Sequence, residues 1–138
     1  MLPETGLDTY EEISNGIKIT VSPFYLEDQS NPEDNHYVWA YSIDITNLGD
    51  VTVQLTDRHW CITDAEGREE RVDGPGVVGE QPILNPGDSF QYTSGCPLTT
   101  PSGIMVGHYD MRDQSGVRFE VQIPAFSLDL PGARTIVN

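Results

Sequence analysis

The sequence predicts an all-β domain, an immunoglobulin-like sandwich of about seven or eight antiparallel strands, and three observations lead there. Apolar residues alternate with polar ones along several short segments, the period of two that puts one strand face in a core and the other in water. Turn formers separate these segments, with 13 Gly and 10 Pro among 138 residues, and no stretch has the spacing and length of a three-turn helix. Hydrophobic residues make up 37% of the chain and aromatics 9%, enough for one core in a single domain without metal or disulfide staples. A barrel is the alternative architecture for the same pattern.

Residues 1–15 are polar and acidic, with Glu4, Asp8, Glu11 and Glu12, and read as a flexible leader, so that structure is expected to begin near Gly16. Ile17, Ile19 and Val21 then alternate with Lys18, Thr20 and Ser22, and Pro23 ends or edges this strand. Residues 28–35 form a polar loop, after which Tyr37, Trp39, Tyr41, Ile43 and Ile45 fall on one face, the strongest strand signal in the chain. Asn47-Leu48-Gly49-Asp50 turns it into Val51, Val53 and Leu55. A separate segment over 58–63, the turn Asp64-Ala65-Glu66-Gly67 and a short charged strand over 68–72 make a hairpin expected at a sheet edge, where charge discourages unwanted pairing. Residues 73–88 contain Gly74, Pro75, Gly76, Gly79 and Pro82 before Asn85-Pro86-Gly87-Asp88, and read as a long ordered loop. Strands over 89–94, 104–112 and 117–128 complete the set, the last two joined by Asp113-Gln114-Ser115-Gly116. In Gly107-His108-Tyr109 the tyrosine matches the one that closes a corner of immunoglobulin-type sandwiches through a hydroxyl-to-backbone bond. The domain is thus expected to span 16–130, with 131–138 as a loosely attached tail.

Charge narrows the function classes. One lysine, Lys18, and six arginines oppose 22 acidic residues for a net charge of -15, which repels nucleic-acid phosphates and anionic lipid headgroups while suiting cationic partners and metal ions. No nucleic acid and no membrane insertion are expected, since no apolar run approaches spanning length. Met1-Leu2-Pro3-Glu4-Thr5-Gly6 lacks the basic and apolar regions of an export signal. A cytoplasmic protein is expected, with Cys61 and Cys96 as reduced thiols.

Candidate chemistry is sparse. Gly74-Pro75-Gly76-Val77-Val78-Gly79 matches G-x-G-x-x-G, the pattern in which glycines let backbone approach pyrophosphate ahead of a helix N-terminus. Pro82 and Pro86 preclude the helix, and Glu69, Glu70, Asp73 and Glu80 surround the motif, so a nucleotide there would need a bridging Mg2+ or Co2+; a tight structural loop is the competing reading. His36, His59 and His108 are scattered, with Asp57-x-His59 the closest local pair and no zinc-site spacing, so each is expected as a surface or packing histidine unless the fold makes them converge. Glu27, Asp28, Glu33 and Asp34 lack the ligand order of an EF-hand and read as a solvated acidic loop. Ser94-Gly95-Cys96 is followed by Pro97 with no adjacent base, and no nucleophile elbow occurs, so no catalytic residue is assigned and no enzyme class emerges.

Several separated motifs in order, Tyr37-Val38-Trp39-Ala40-Tyr41, Ile45-Thr46-Asn47-Leu48-Gly49, Val53-Gln54-Leu55 with Arg58-His59-Trp60, Gly76-Val77-Val78-Gly79-Glu80-Gln81-Pro82, Tyr92-Thr93-Ser94-Gly95 and Gly103-Ile104-Met105-Val106-Gly107-His108-Tyr109, closely resemble the bacterial ApaG family over about residues 16–130. The resemblance implies a fibronectin type III-like sandwich and a small cytoplasmic protein linked with cobalt and magnesium resistance or efflux, hence the alternative family name CorD, near dinucleoside tetraphosphate metabolism. Similar domains in eukaryotic F-box proteins and a polymerase delta-interacting protein look like protein-interaction modules. The family's glycine motif maps onto Gly74, Gly76 and Gly79, with Pro75 stiffening the first turn.

The function expected on these grounds is a non-enzymatic binding module associated with Co2+/Mg2+ homeostasis, acting through a protein partner or a small anionic ligand and needing no cofactor of its own. The alternative is metal-assisted nucleotide or pyrophosphate binding by the Gly74-x-Gly76-x-x-Gly79 loop, with weak hydrolysis. A third is direct metal binding by His59, His108 and nearby carboxylates. Exposed sandwich edges would also let two copies pair as a homodimer.

Overall fold

In a computed structural model that describes residues 9–131, the chain is a sandwich of two antiparallel sheets. The nine strands among the described residues are β1 (Tyr10–Ser14), β2 (Ile17–Tyr25), β3 (Tyr37–Asn47), β4 (Val53–Asp64), β5 (Glu69–Pro75), β6 (Ile83–Leu84), β7 (Ser89–Leu98), β8 (Gly103–Asp113) and β9 (Arg118–Leu128). One sheet runs β1-β2-β3-β7, the other β5-β4-β8-β9, with β6 also paired to β4. Helical structure among the described residues amounts to two single 3-10 turns, Glu27–Gln29 and Pro32–Asp34.

The core follows from the alternation. Ile17, Ile19 and Val21 of β2 and Trp39, Tyr41, Ile43 and Ile45 of β3 meet Leu55, Trp60, Tyr109 and Phe126 from the opposite sheet, all buried. Tyr41, Trp60 and Phe126 pack with ring centroids 5.6–5.9 Å apart, the tilted and edge-on geometries that aromatic quadrupoles favour. The indole N–H of Trp39 donates to the Asp129 carbonyl at 2.8 Å, which leaves no polar cost for its burial.

Four expectations change. The leader is not unstructured up to residue 15: Asn15 and Gly16, at φ +51° and +78°, form a two-residue turn of the kind that joins hairpins, and β1 folds back on β2 with Ser14 opposite Ile17. Tyr10 packs on Phe126 and its hydroxyl lies 3.2 Å from Ser127 Oγ, so an acidic strand with two apolar residues is held by cross-sheet contacts its own composition does not announce. Residues 1–8 of the expected leader, and all of the expected tail beyond Pro131, lie outside the described residues. The loop over 73–88 is shorter than expected, because Asp73, Gly74 and Pro75 extend β5 and Ile83–Leu84 form β6. The Tyr109 hydroxyl does not reach backbone as a tyrosine corner would; it meets the Tyr92 hydroxyl at 2.5 Å inside the sandwich.

The last difference places the functional face. The segments expected over 51–55 and 58–63 are one strand, β4, bent by a bulge: Leu55 pairs with Met111 but Asp57 pairs with Asp110, so Thr56 is an extra residue. The bulge reverses the parity of the strand. Val53 and Leu55 face the core before it, Trp60 and Ile62 after it, and His59 is turned outward. A second irregularity, where Met105 pairs with Phe126 and Gly107 with Ile123, inserts an extra residue into β9 next to Pro124, whose missing N–H suits an interrupted ladder.

Candidate functional site

On the outer face of the five-stranded sheet the central strands β4 and β8 bring His59 opposite His108. The two imidazoles stack with centroids 4.6 Å apart and planes 23° apart. On one flank β5 places Asp73 opposite His59, and its Oδ1 lies 2.6 Å from His59 Nδ1. Asp110, two residues along β8 and on the same face as His108, puts Oδ2 2.7 Å from His59 Nε2 and Oδ1 3.5 Å from His108 Nε2. Glu120 of β9 stands opposite Asp110, with its Oε2 3.8 Å from His108 Nε2. His59 and His108 are about 30% exposed, so the cluster is accessible yet fixed at both ends by strands.

Its electrostatics are one-sided. A carboxylate faces each nitrogen of His59, and these two hydrogen bonds raise its pKa above the ordinary imidazole value by favouring the doubly protonated ring. Asp57 lies opposite Asp110 in register, and a shallow depression of about 320 Å³ lined by Asp57, Asp110, Arg118 and Glu120 adjoins the cluster. On a chain of net charge -15 the face is suited to cations and to cationic or metal-bridged partners.

The glycine motif adopts a different kind of structure. Val77 and Glu80 exchange two backbone hydrogen bonds, at 2.8 and 2.9 Å, around Val78 and Gly79 at φ +43° and +84°, a tight reverse turn. The Gly76 N–H donates to the Thr56 carbonyl, and Arg58 Nη1 donates to the carbonyls of Pro75 and Gly76 at 3.0 and 2.9 Å. A Cβ on Gly76 would collide with the Glu80 carbonyl, and one on Gly74 would sit 3.2 Å from the Arg58 guanidinium. Gly79 instead faces open space and serves its positive φ. The turn is followed by β6, not by a helix.

The other candidates stay apart. His36 pairs with Asn31 at the 3-10 loop and borders a groove with Asp64, Arg68 and Pro97. Glu27, Asp28, Glu33 and Asp34 are exposed, and Asp34 accepts from the Asn31 amide at 2.8 Å. Both cysteines are free thiols; Cys96 is buried, which pushes its pKa up to about 11 and removes the thiolate a nucleophile would need. Among the described residues no helix is long and apolar enough to cross a membrane. What sequence reasoning missed is Asp73, Asp110 and Glu120 as partners of the histidines; the alternation of His108 and Asp110 on one strand was a visible signal, while Asp73 and Glu120 arrive only through pairing.

Comparison with known proteins agrees with this fold. The chain is 63% identical over 129 residues to Protein ApaG of Mesorhizobium japonicum, covering 94% of this chain and 99% of that one, and 60% identical over the same length to Protein ApaG of Paramagnetospirillum magneticum. The crystal structure of the ApaA protein from Bordetella pertussis superposes with a TM-score of 0.82 at 49% identity, covering 83% of this chain and 94% of that one. The C-terminal domain of wzt, at 11% identity and a TM-score of 0.52, shares the fold alone. These relatives' names designate no enzymatic activity. The ApaG domain model matches residues 27–113, from the 3-10 loop to the end of β8, and with relatives similar over nearly the whole length, this chain belongs to the ApaG family.

Proposed function

We propose that this protein is a non-enzymatic binding domain of the cytoplasm, tied to Co2+/Mg2+ homeostasis, that holds a protein partner or a small ligand on the outer face of the β5-β4-β8-β9 sheet. The observation that carries this is the cluster of His59 and His108 among Asp73, Asp110 and Glu120, five polar side chains fixed on four neighbouring strands. Rigid strands position such a face without motion, which suits recognition. Both nitrogens of His59 face carboxylates and not a hydroxyl or thiol that the imidazole could activate as a nucleophile. Cells lacking the protein, challenged with graded Co2+ and Mg2+, give the test. Wild type should restore tolerance and His108→Ala or Asp110→Asn should not; wild type without effect on tolerance would remove the link to metal homeostasis.

A second reading, nucleotide or pyrophosphate binding with weak hydrolysis at Gly74, Gly76 and Gly79, is supported by one contiguity: Gly74 directly follows Asp73 of the cluster, so a metal there would lie near the loop. Against it, the amides of Gly76, Val77 and Glu80 already donate to protein carbonyls and cannot also cradle phosphate. Thermal denaturation with ATP, GTP and dinucleoside tetraphosphate, with and without Mg2+ or Co2+, decides: stabilisation growing with ligand concentration supports the site, and unchanged melting in every condition rejects it.

A further inference from the structure

We infer that His59, His108 and Asp110 form a mononuclear site for a first-row transition-metal dication such as Zn2+ or Co2+, with Asp73 as the outer partner that orients His59. The inference deepens the reading of this sheet face as the binding surface and rests on it for location only.

Three features of the geometry support it. First, one ligand atom from each of the three residues lies within 4.8 Å of the others, and metal–ligand bonds of about 2.0–2.2 Å need only small rotamer adjustments to draw them onto one ion. Second, Asp73 Oδ1 accepts a hydrogen bond from His59 Nδ1 at 2.6 Å. In the neutral ring that bond fixes the proton on Nδ1 and leaves a lone pair on Nε2, the carboxylate–histidine arrangement found behind metal ligands. Third, that Nε2 points at Asp110 Oδ2, 2.7 Å away, while His108 Nε2 approaches Asp110 Oδ1 from the other side. With Nδ1–H committed to Asp73, Nε2 and a carboxylate are two acceptors face to face. Only a proton or a cation between them makes that approach favourable, and a dication serves both imidazoles and the carboxylate at once.

Ligand type sets the class of ion. Two imidazoles with one carboxylate suit Zn, Co, Ni or Cu, whereas Mg2+ and Ca2+ prefer all-oxygen shells. Three protein ligands leave a position for water or for a donor from a bound partner, and the depression lined by Asp57, Arg118 and Glu120 adjoins Asp110. The stacked rings sit on β4 and β8 at the centre of the sheet, so each ligand strand is paired along both of its edges.

The test uses the full, tag-free chain at neutral pH, titrated calorimetrically with Zn2+ and with Co2+, and with Mg2+ as the contrast. One equivalent of Zn2+ or Co2+ should bind, Co2+ should develop visible d–d absorption, and Mg2+ should give no saturable heat. His108→Ala and Asp110→Asn should each abolish stoichiometric binding, Asp73→Asn should weaken it by about 10–100-fold, and His36→Ala should leave it unchanged. Circular dichroism confirms that each variant is folded, and Asp110→Asn keeps the test decisive should His108→Ala disturb β8. Absence of saturable Zn2+ and Co2+ binding, or binding that survives both His108→Ala and Asp110→Asn, overturns the site. Because this readout involves neither cells nor a partner, metal binding can persist while the tolerance experiment fails, and the reverse.

Discussion

The glycine loop and the histidine cluster meet on β5, where Gly74 follows Asp73, yet they use their polar groups in opposite ways. Around residues 74–80 the backbone donors and acceptors are consumed internally: by Thr56, by Arg58 and by the turn itself. Around His59 both ring nitrogens also have partners, but those partners are exposed carboxylates with acceptor capacity left for a cation. A motif that matches a binding pattern in one dimension therefore makes a strap, and residues with no recognisable spacing make a surface capable of holding something. The lesson concerns hydrogen-bond accounting, since a group already paired within the fold has little left for a ligand.

The contrast is breakable by mutation, and the largest effect belongs to the strap. Gly76→Ala forces a Cβ into the Glu80 carbonyl at a φ of +63°, and should cost about 2–4 kcal/mol in chemical denaturation. A stable Gly76→Ala protein would show a loop free to open around a ligand. Arg58→Met removes both hydrogen bonds to the Pro75 and Gly76 carbonyls and should lower stability by about 1–2 kcal/mol in the same assay, with His59 undisturbed on the other face of β4. Val78 is a β-branched residue at φ +43° and 54% exposed, so Val78→Asn should raise stability by roughly 0.5–1 kcal/mol by relieving strain in the turn. An unchanged melting temperature would mean that Val78 carries no strain.

The smallest effect lies at the cluster and appears as a pH dependence. The folded pKa of His59 is raised above 6.5 by its bonds to Asp73 and Asp110. Protonated His59 therefore stabilises the fold fully below about pH 6.5, and this contribution is lost as pH rises through the higher folded value. Stability measured from pH 6 to 9 without added metal should decline over that window, and the decline should flatten in Asp110→Asn, which removes one of the two carboxylate partners. An identical profile in the variant would place the titration elsewhere.

Much of the fold was legible in the chain. Alternation at Ile17, Ile19, Val21 and from Tyr37 to Ile45 identified β2 and β3 and their buried faces, because a period of two is a local property. The Asn15-Gly16 pair was an equally local hairpin signal, but the acidic residues before it masked β1, whose stability comes from Tyr10 against Phe126, 116 residues away. Arg58-His59-Trp60 broke the alternation of Val53 and Leu55 and so looked like the start of a new strand, when the break was a bulge at Thr56 within β4.

By itself the sequence determined the β class, the acidic field, the turn positions and the lack of a helix after Gly79, since each follows from residue type and short-range spacing. Only the tertiary structure decided that His59 and His108 face one another while His36 stands apart, and that Asp73 and Glu120 join them. Whether two distant residues meet depends on strand order and on register, and each bulge shifts that register by one residue and turns a side chain to the other face. That quantity accumulates along two strands at once and has no signature in either alone.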